Sequence, residues 1–200
     1  MPLITLFVSF TGDRFAPPSG AARTLLHVPG EVRDPFLDDG RAPARVAQIY
    51  FDSLAALEVA AREVRGATAA EAMTVHRFPV PEPWAHVPER FCTYLVAYEG
   101  PADDEAAWLA HYLKHHPPLM AKLPGIRELE IYTPLEWRCP PALERVRHLQ
   151  RNKVTFDSAA ALTAALDSPV RREMRADFAQ FPPYRGRVTH YPMTTEMLLP

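Results

Sequence analysis

Short β-rich runs and alanine-rich helical stretches follow one another twice along this chain. In the first half the runs predict strands over 3–10, 23–28, 45–51 and 71–79, with a helix over 53–65 between the last two. In the second half they predict a strand over 91–98, a helix over 104–122, strands over 126–133 and 151–156, helices within 158–180 and a last strand over 187–193. That second order is β-α-β-β-α-β, the ferredoxin-like one. Residues 11–20 of the first half, Thr-Gly-Asp-Arg-Phe-Ala-Pro-Pro-Ser-Gly, are too few and too rich in breakers for the helix that the order requires there. The first half is therefore a degenerate version of the second.

Phe51-Asp52-Ser53-Leu-Ala-Ala-Leu57 returns as Phe156-Asp157-Ser158-Ala-Ala-Ala-Leu162, each time at a strand-to-helix junction, with Asp52 and Asp157 as candidate helix caps. We accordingly divide the chain into a degenerate ferredoxin-like repeat over 1–80, a stiff proline-rich connector over 81–90 and a complete repeat over 91–200. A ferredoxin-like sheet carries helices on one face only. Packing the two bare faces together buries both, which predicts an α+β fold with antiparallel sheets closed into an intrachain α+β barrel. A further pairing of two such chains into a homodimer stays open.

The 200 residues are 48% hydrophobic with a net charge of −2, and long basic runs are absent, so nucleic acid is not expected as a partner. The run at 3–10 lacks a basic leader and is too short for a bilayer, which reads as a strand of a cytoplasmic protein with no membrane partner. Cys92 and Cys139 are too few and too separated for a disulfide framework and are expected as free thiols. With no Gly-x-Gly-x-x-Gly, phosphate loop or Gly-x-Ser-x-Gly, a tightly held nucleotide, flavin or nicotinamide is not indicated, and no cofactor is expected.

The candidate chemistry gathers at 108–125. Trp108, Tyr112 and His116 are four residues apart and share one helix face about 12 Å long, with Asp103 and Asp104 as N-cap. The stripe ends on the one side chain that titrates near neutrality, at a bend expected from Pro117 and Pro118. His116 is the first choice for a general acid or base, and Tyr112 for a group that orients it or binds a substrate oxygen. Trp108, Tyr94, Tyr98, Tyr132 and His190 are candidates for the substrate wall, though strand alternation leaves open which face meets the helices. His111 and His115 have zinc-ligand spacing, but position 112 is Tyr and no third ligand stands near, so no metal is expected. Lys114, Lys122 and Arg127 are available to an anionic substrate, with surface charge as the ordinary explanation.

Tyr112, His116, Pro118 and Leu119, then Leu123-Pro124-Gly125, resemble the EthD family, named for ethyl tert-butyl ether degradation. Phe156-Asp157-Ser158, Ala161-Leu162, Ser168-Pro169 and Asp177-Phe178 extend the likeness over roughly 91–195. The family's tyrosine four residues beyond the Leu-Pro-Gly glycine is absent, since Leu129 stands there. The resemblance implies the same barrel, and an enzyme of degradation or aromatic polyketide pathways, often grouped with oxidoreductases. The expected function is a cofactor-independent isomerase, dehydratase, decarboxylase or oxygenase acting on a small apolar or aromatic-derived metabolite. The alternative is a non-catalytic accessory or hydrophobic-ligand-binding protein in which His116 is structural.

Overall fold

The computed structural model describes residues 4–12, 14–32, 34, 37, 39–40 and 42–199, so Leu3 of the first expected strand lies outside it. The strands are β1 (Ile4–Phe10), β2 (Arg23–Pro29), β3 (Val46–Phe51), β4 (Ala67–Phe78), β5 (Arg90–Tyr98), β6 (Ile126–Pro134), β7 (Glu144–Arg145), β8 (Gln150–Phe156) and β9 (Val188–Leu199). The helices are α1 (Leu54–Ala60), α2 (Glu105–Met120), α3 (Ala159–Leu166) and α4 (Pro169–Phe178). Among the described residues no helix lies between β1 and β2.

Eight strands run in the order β1-β3-β2-β9-β5-β8-β6-β4, and a β1–β4 pairing closes them into an antiparallel barrel. The two-residue β7 adds to β4 in parallel at Ala69 and Ala70. Within each half the order is the same, β4-β1-β3-β2 and β9-β5-β8-β6. The halves meet where β2 pairs with β9 and where β4 pairs with β6. Two strand lengths differ from the expected ones. β4 begins at residue 67 because Ala67, Ala69 and Ala70 pair with Phe10, Ser9 and Val8 of β1, and β9 runs on past residue 193 because its end pairs with β2. Both extensions rest on partners more than 50 residues away, which a local pattern does not register.

Alternation then divides every strand into an inner and an outer face. Outward residues of β1 and β3, including Leu6, Val8, Ile49 and Phe51, pack under α1 with Leu57 and Ala60. Outward residues of β5, β6 and β8 pack under α2 and α3 with Trp108, Tyr112, Leu162 and Ala165. Burying each large apolar side chain of this kind contributes roughly 1.5–3 kcal/mol. Trp84 of the connector meets Phe91 edge-on at 4.9 Å and, with Val87, packs against Leu25 and Tyr50. The stretch over 81–90 thus covers the core as well as joining the halves.

Three local expectations change. α2 runs without interruption through Pro117 and Pro118 to Met120, although each proline removes one ladder donor. The helix tolerates this because only one turn remains after them. The helix caps after the two Phe-Asp junctions are Ser53 and Ser158, whose hydroxyls each accept an N–H at 3.2 Å. Asp157 instead pairs with Arg127 at 2.7 Å and accepts the indole N–H of Trp84 at 2.5 Å.

Gly186 sets β9 against the end of β5. A Cβ there would lie 1.6 Å from the carbonyl oxygen of Glu99 and 2.7 Å from the Tyr184 hydroxyl. Gly186→Ala is expected to cost at least the roughly 1–3 kcal/mol of an overpacked site, read as a lower urea midpoint. An unchanged midpoint would show that the β5–β9 contact is slack.

Candidate active site

On the outer face, the second half holds a cavity of about 440 Å³ between β5, β8, β9 and helices α2, α3 and α4. Its wall is mostly apolar, with Val96, Met120, Val154, Phe156, Leu162 and Met174 among the lining residues. Leu37 and Phe178, both partly exposed, mark its rim, with the exposed Arg175 beside them. The polar groups in the wall converge from separate parts of the chain.

His116 projects from the last turn of α2, with 5% of its surface exposed. Its Nδ1–H donates to Asp177 Oδ2 of α4 at 2.7 Å. Burial lowers the affinity of this ring for a proton, and it outweighs the opposing pull of Asp177. The ring is therefore neutral at pH 7, with its proton held at Nδ1 by the carboxylate and Nε2 without a hydrogen-bond partner among the described residues. Phe181 packs edge-on against the ring at 5.5 Å and fixes its plane.

A second imidazole reaches the same cavity from β9. His190 Nδ1–H donates to Asp39 Oδ2 at 2.7 Å, and the backbone N–H of His190 donates to the same oxygen at 2.8 Å. Burial again lowers its proton affinity, with Asp39 opposing. The two rings are near enough that a charge on His190 further disfavours one on His116. Tyr94, also in the wall, donates its hydroxyl to Asp34, which is paired with Arg171 at 2.9 Å. Asp34, Leu37 and Asp39 all belong to the segment between β2 and β3. The first half therefore completes a cavity built on the second.

The expected site residues separate into three groups. His116, Tyr94, Tyr98 and His190 line the cavity. Trp108 and Tyr112 lie beneath it as packing: they stack on each other at 5.3 Å, Tyr98 meets both edge-on at 5.1 and 5.5 Å, and Tyr112 Oη accepts Nδ2–H of Asn152 at 2.9 Å. Tyr132 is on the opposite face of the sheet, inside the barrel, where it donates to Glu130 at 2.7 Å. Strand alternation separates it from the cavity side occupied by Leu129 and Ile131. Of the cations, Arg127 is tied to Asp157 and Glu82, and Lys122 is 3.5 Å from Glu173. The rings of His111 and His115 lie 4.6 Å apart, and among the described residues no cluster of three or more His, Cys, Asp or Glu side chains is gathered as for a metal.

Asp34 and Asp39 carry no signal in the sequence, and Arg171, which with Arg172 and Arg175 could bind an anion, reads there as part of a solvated helix face. The two aspartates fall in a stretch with no periodicity. Asp177 had a signal, being part of the EthD-like block, but nothing local ties it to a histidine 61 residues earlier.

No family model matches this chain, and no curated protein does. Its structure is similar to that of an anthrone oxidase-like protein, at 14% identity over 98% of this chain and 94% of that one, with a TM-score of 0.58. It is also similar to a candidate monooxygenase from Fusobacterium nucleatum, at 6% identity over 98% and 92%, with a TM-score of 0.56. What is shared is the fold. An ethyl tert-butyl ether degradation (EthD) family protein from Bacillus halodurans aligns with 50% of this chain and 96% of its own, at 20% identity and a TM-score of 0.39. Among the described residues no helix is long and apolar enough to cross a membrane.

Proposed function

We propose that the outer cavity is the active site of a small-molecule enzyme in which neutral His116 takes a proton through Nε2 from an apolar, aromatic-derived substrate. The observation that carries this reading is the His116–Asp177 pair set in the wall of a mostly apolar cavity. Asp177 orients the ring and stabilises the imidazolium once it forms, and low polarity around the base strengthens both effects. The volume suits two or three fused rings. Isomerisation, dehydration, decarboxylation and oxygenation of such a compound can each begin with loss of a proton, and that step calls on no cofactor. The matching strand orders of the two halves support reading them as two ferredoxin-like repeats, the first without its α2 equivalent and hence without a counterpart of His116.

Anthrone, suggested by the name of a structural relative, is a suitable first probe because its ring CH2 is acidic. The protein is expected to accelerate exchange of that position with deuterium oxide, followed by NMR. His116→Ala should lower the exchange rate by at least about 100-fold, the low end for loss of a positioned base, with the circular dichroism spectrum unchanged. Exchange that persists in the variant removes His116 from the reaction. Saturable binding of anthrone without exchange marks a binding protein instead.

A further inference from the structure

His116 accounts for one wall of the cavity only. His190 arrives from β9, in another part of the chain, yet its immediate chemistry resembles that of His116: Nδ1–H is held by a carboxylate at 2.7 Å and Nε2 has no partner among the described residues, although the ring is half-buried where that of His116 is buried. Other polar groups of the wall are engaged in part. Tyr94 donates to Asp34, with which Arg171 is also paired. Asn152 gives its amide N–H to Tyr112, and its own Oδ1 is buried without a partner among the described residues. The two neutral imidazoles are thus acceptors set in a mostly apolar wall. Leaving both empty against an apolar ligand forfeits a hydrogen bond at each.

We propose that His190, positioned by Asp39, is a second proton acceptor of this cavity, so that the site selects an apolar fused-ring ligand with two separated hydrogen-bond donors. This rests on the reading of the cavity as a site for aromatic compounds. The pair also serves the reaction. With both rings accepting, one donor anchors the ligand on one imidazole while the other imidazole takes the reacting proton. The bond to that hydrogen breaks, its electron pair stays on the substrate as an enolate or phenolate, and the proton forms the new N–H bond at Nε2.

The test uses the full chain and three fluorescent probes of one shape: 2,6-dihydroxynaphthalene, 2-naphthol and 2,6-dimethoxynaphthalene. The diol is expected to bind about three- to tenfold more tightly than 2-naphthol, the value of one added hydrogen bond, and the dimethoxy compound most weakly. His190→Asn keeps a donor for Asp39 but has no atom at the Nε2 position, and it should reduce the diol to the affinity of 2-naphthol. Asp39→Asn, which leaves the ring in place but no longer fixes its tautomer, should also shrink the preference and serves if His190→Asn does not fold. A diol preference that survives both substitutions, or equal binding of diol and 2-naphthol by the unaltered protein, overturns the assignment of His190 and leaves that of His116 standing. Failure of every probe to bind overturns both.

Discussion

Lys153→Met is expected to destabilise the protein by about 3 kcal/mol, measured by urea unfolding at pH 7. Lys153 is fully buried inside the barrel, where its ammonium lies 2.9 Å from Glu130, 3.3 Å from Glu128 and 2.8 Å from the Tyr50 hydroxyl. Glu130 is equally buried, and it also accepts from Tyr50 at 2.5 Å, Tyr132 at 2.7 Å and Arg77 at 2.9 Å. Burial is the largest single influence on its carboxyl and would raise it, but the Lys153 charge and these donors together outweigh that cost and hold it far below the usual carboxylate range. Removing one member of a buried pair leaves the other desolvated and costs roughly 3–5 kcal/mol, whereas replacing both by apolar groups is often near neutral. Arg77 and the two tyrosines remain with Glu130, which places Lys153→Met at the low end. Adding Glu130→Leu to Lys153→Met should therefore recover part of the loss. A single variant within about 0.5 kcal/mol of the parent would mean that the network contributes nothing net.

The second large effect is a loss of stability in acid that His27 dominates. His27 lies inside the barrel, bonded through Nδ1 to the Thr195 hydroxyl at 2.8 Å and through Nε2 to Gln48 at 3.3 Å. Burial, followed by repulsion from Lys153, lowers its pKa from 6.5 to about 3. The folded state thus keeps the ring neutral while the unfolded chain takes up a proton below about pH 6.5. Stability falls as pH drops through that window, by about 1.4 kcal/mol per unit from this residue, and levels off near pH 3. His116 and His190, also lowered by burial, add to the fall in the same direction. The contribution of His27 is isolated by His27→Gln. The unfolding free energy of the variant relative to the parent should rise by about 2 kcal/mol between pH 6.5 and 4.5. A difference independent of pH would sink the claim that His27 is buried neutral.

Both effects arise on a face that the sequence presents as ordinary. In β6 the run Glu128-Leu129-Glu130-Ile131-Tyr132, and in β8 the run Arg151-Asn152-Lys153-Val154-Thr155, alternate as half-buried strands do. Local alternation assigns the charged side to water. Barrel closure turns that side inward, because the apolar side is already taken by α2 and α3, and the ions then have only one another as partners. Tyr132 was misplaced for the same reason: its face was legible, but not what the face looks at.

The sequence by itself determined the elements and the helix face that carries His116. Hydrophobic period and chain-breaking residues place all four helices and every strand except the two-residue β7, and the four-residue spacing puts Trp108, Tyr112 and His116 on one buried helix face. These are short-range consequences of backbone geometry and side-chain polarity, so they can be read within a window of a few turns. The tertiary structure alone decided the partners. Asp177 reaches His116 across 61 positions, Asp39 reaches His190 across 151, and Asp34 crosses from the first half to Tyr94 and Arg171. Such pairings depend on which strand edges close the barrel and where the segment between β2 and β3 then lies, and hydrophobic periodicity carries no record of either.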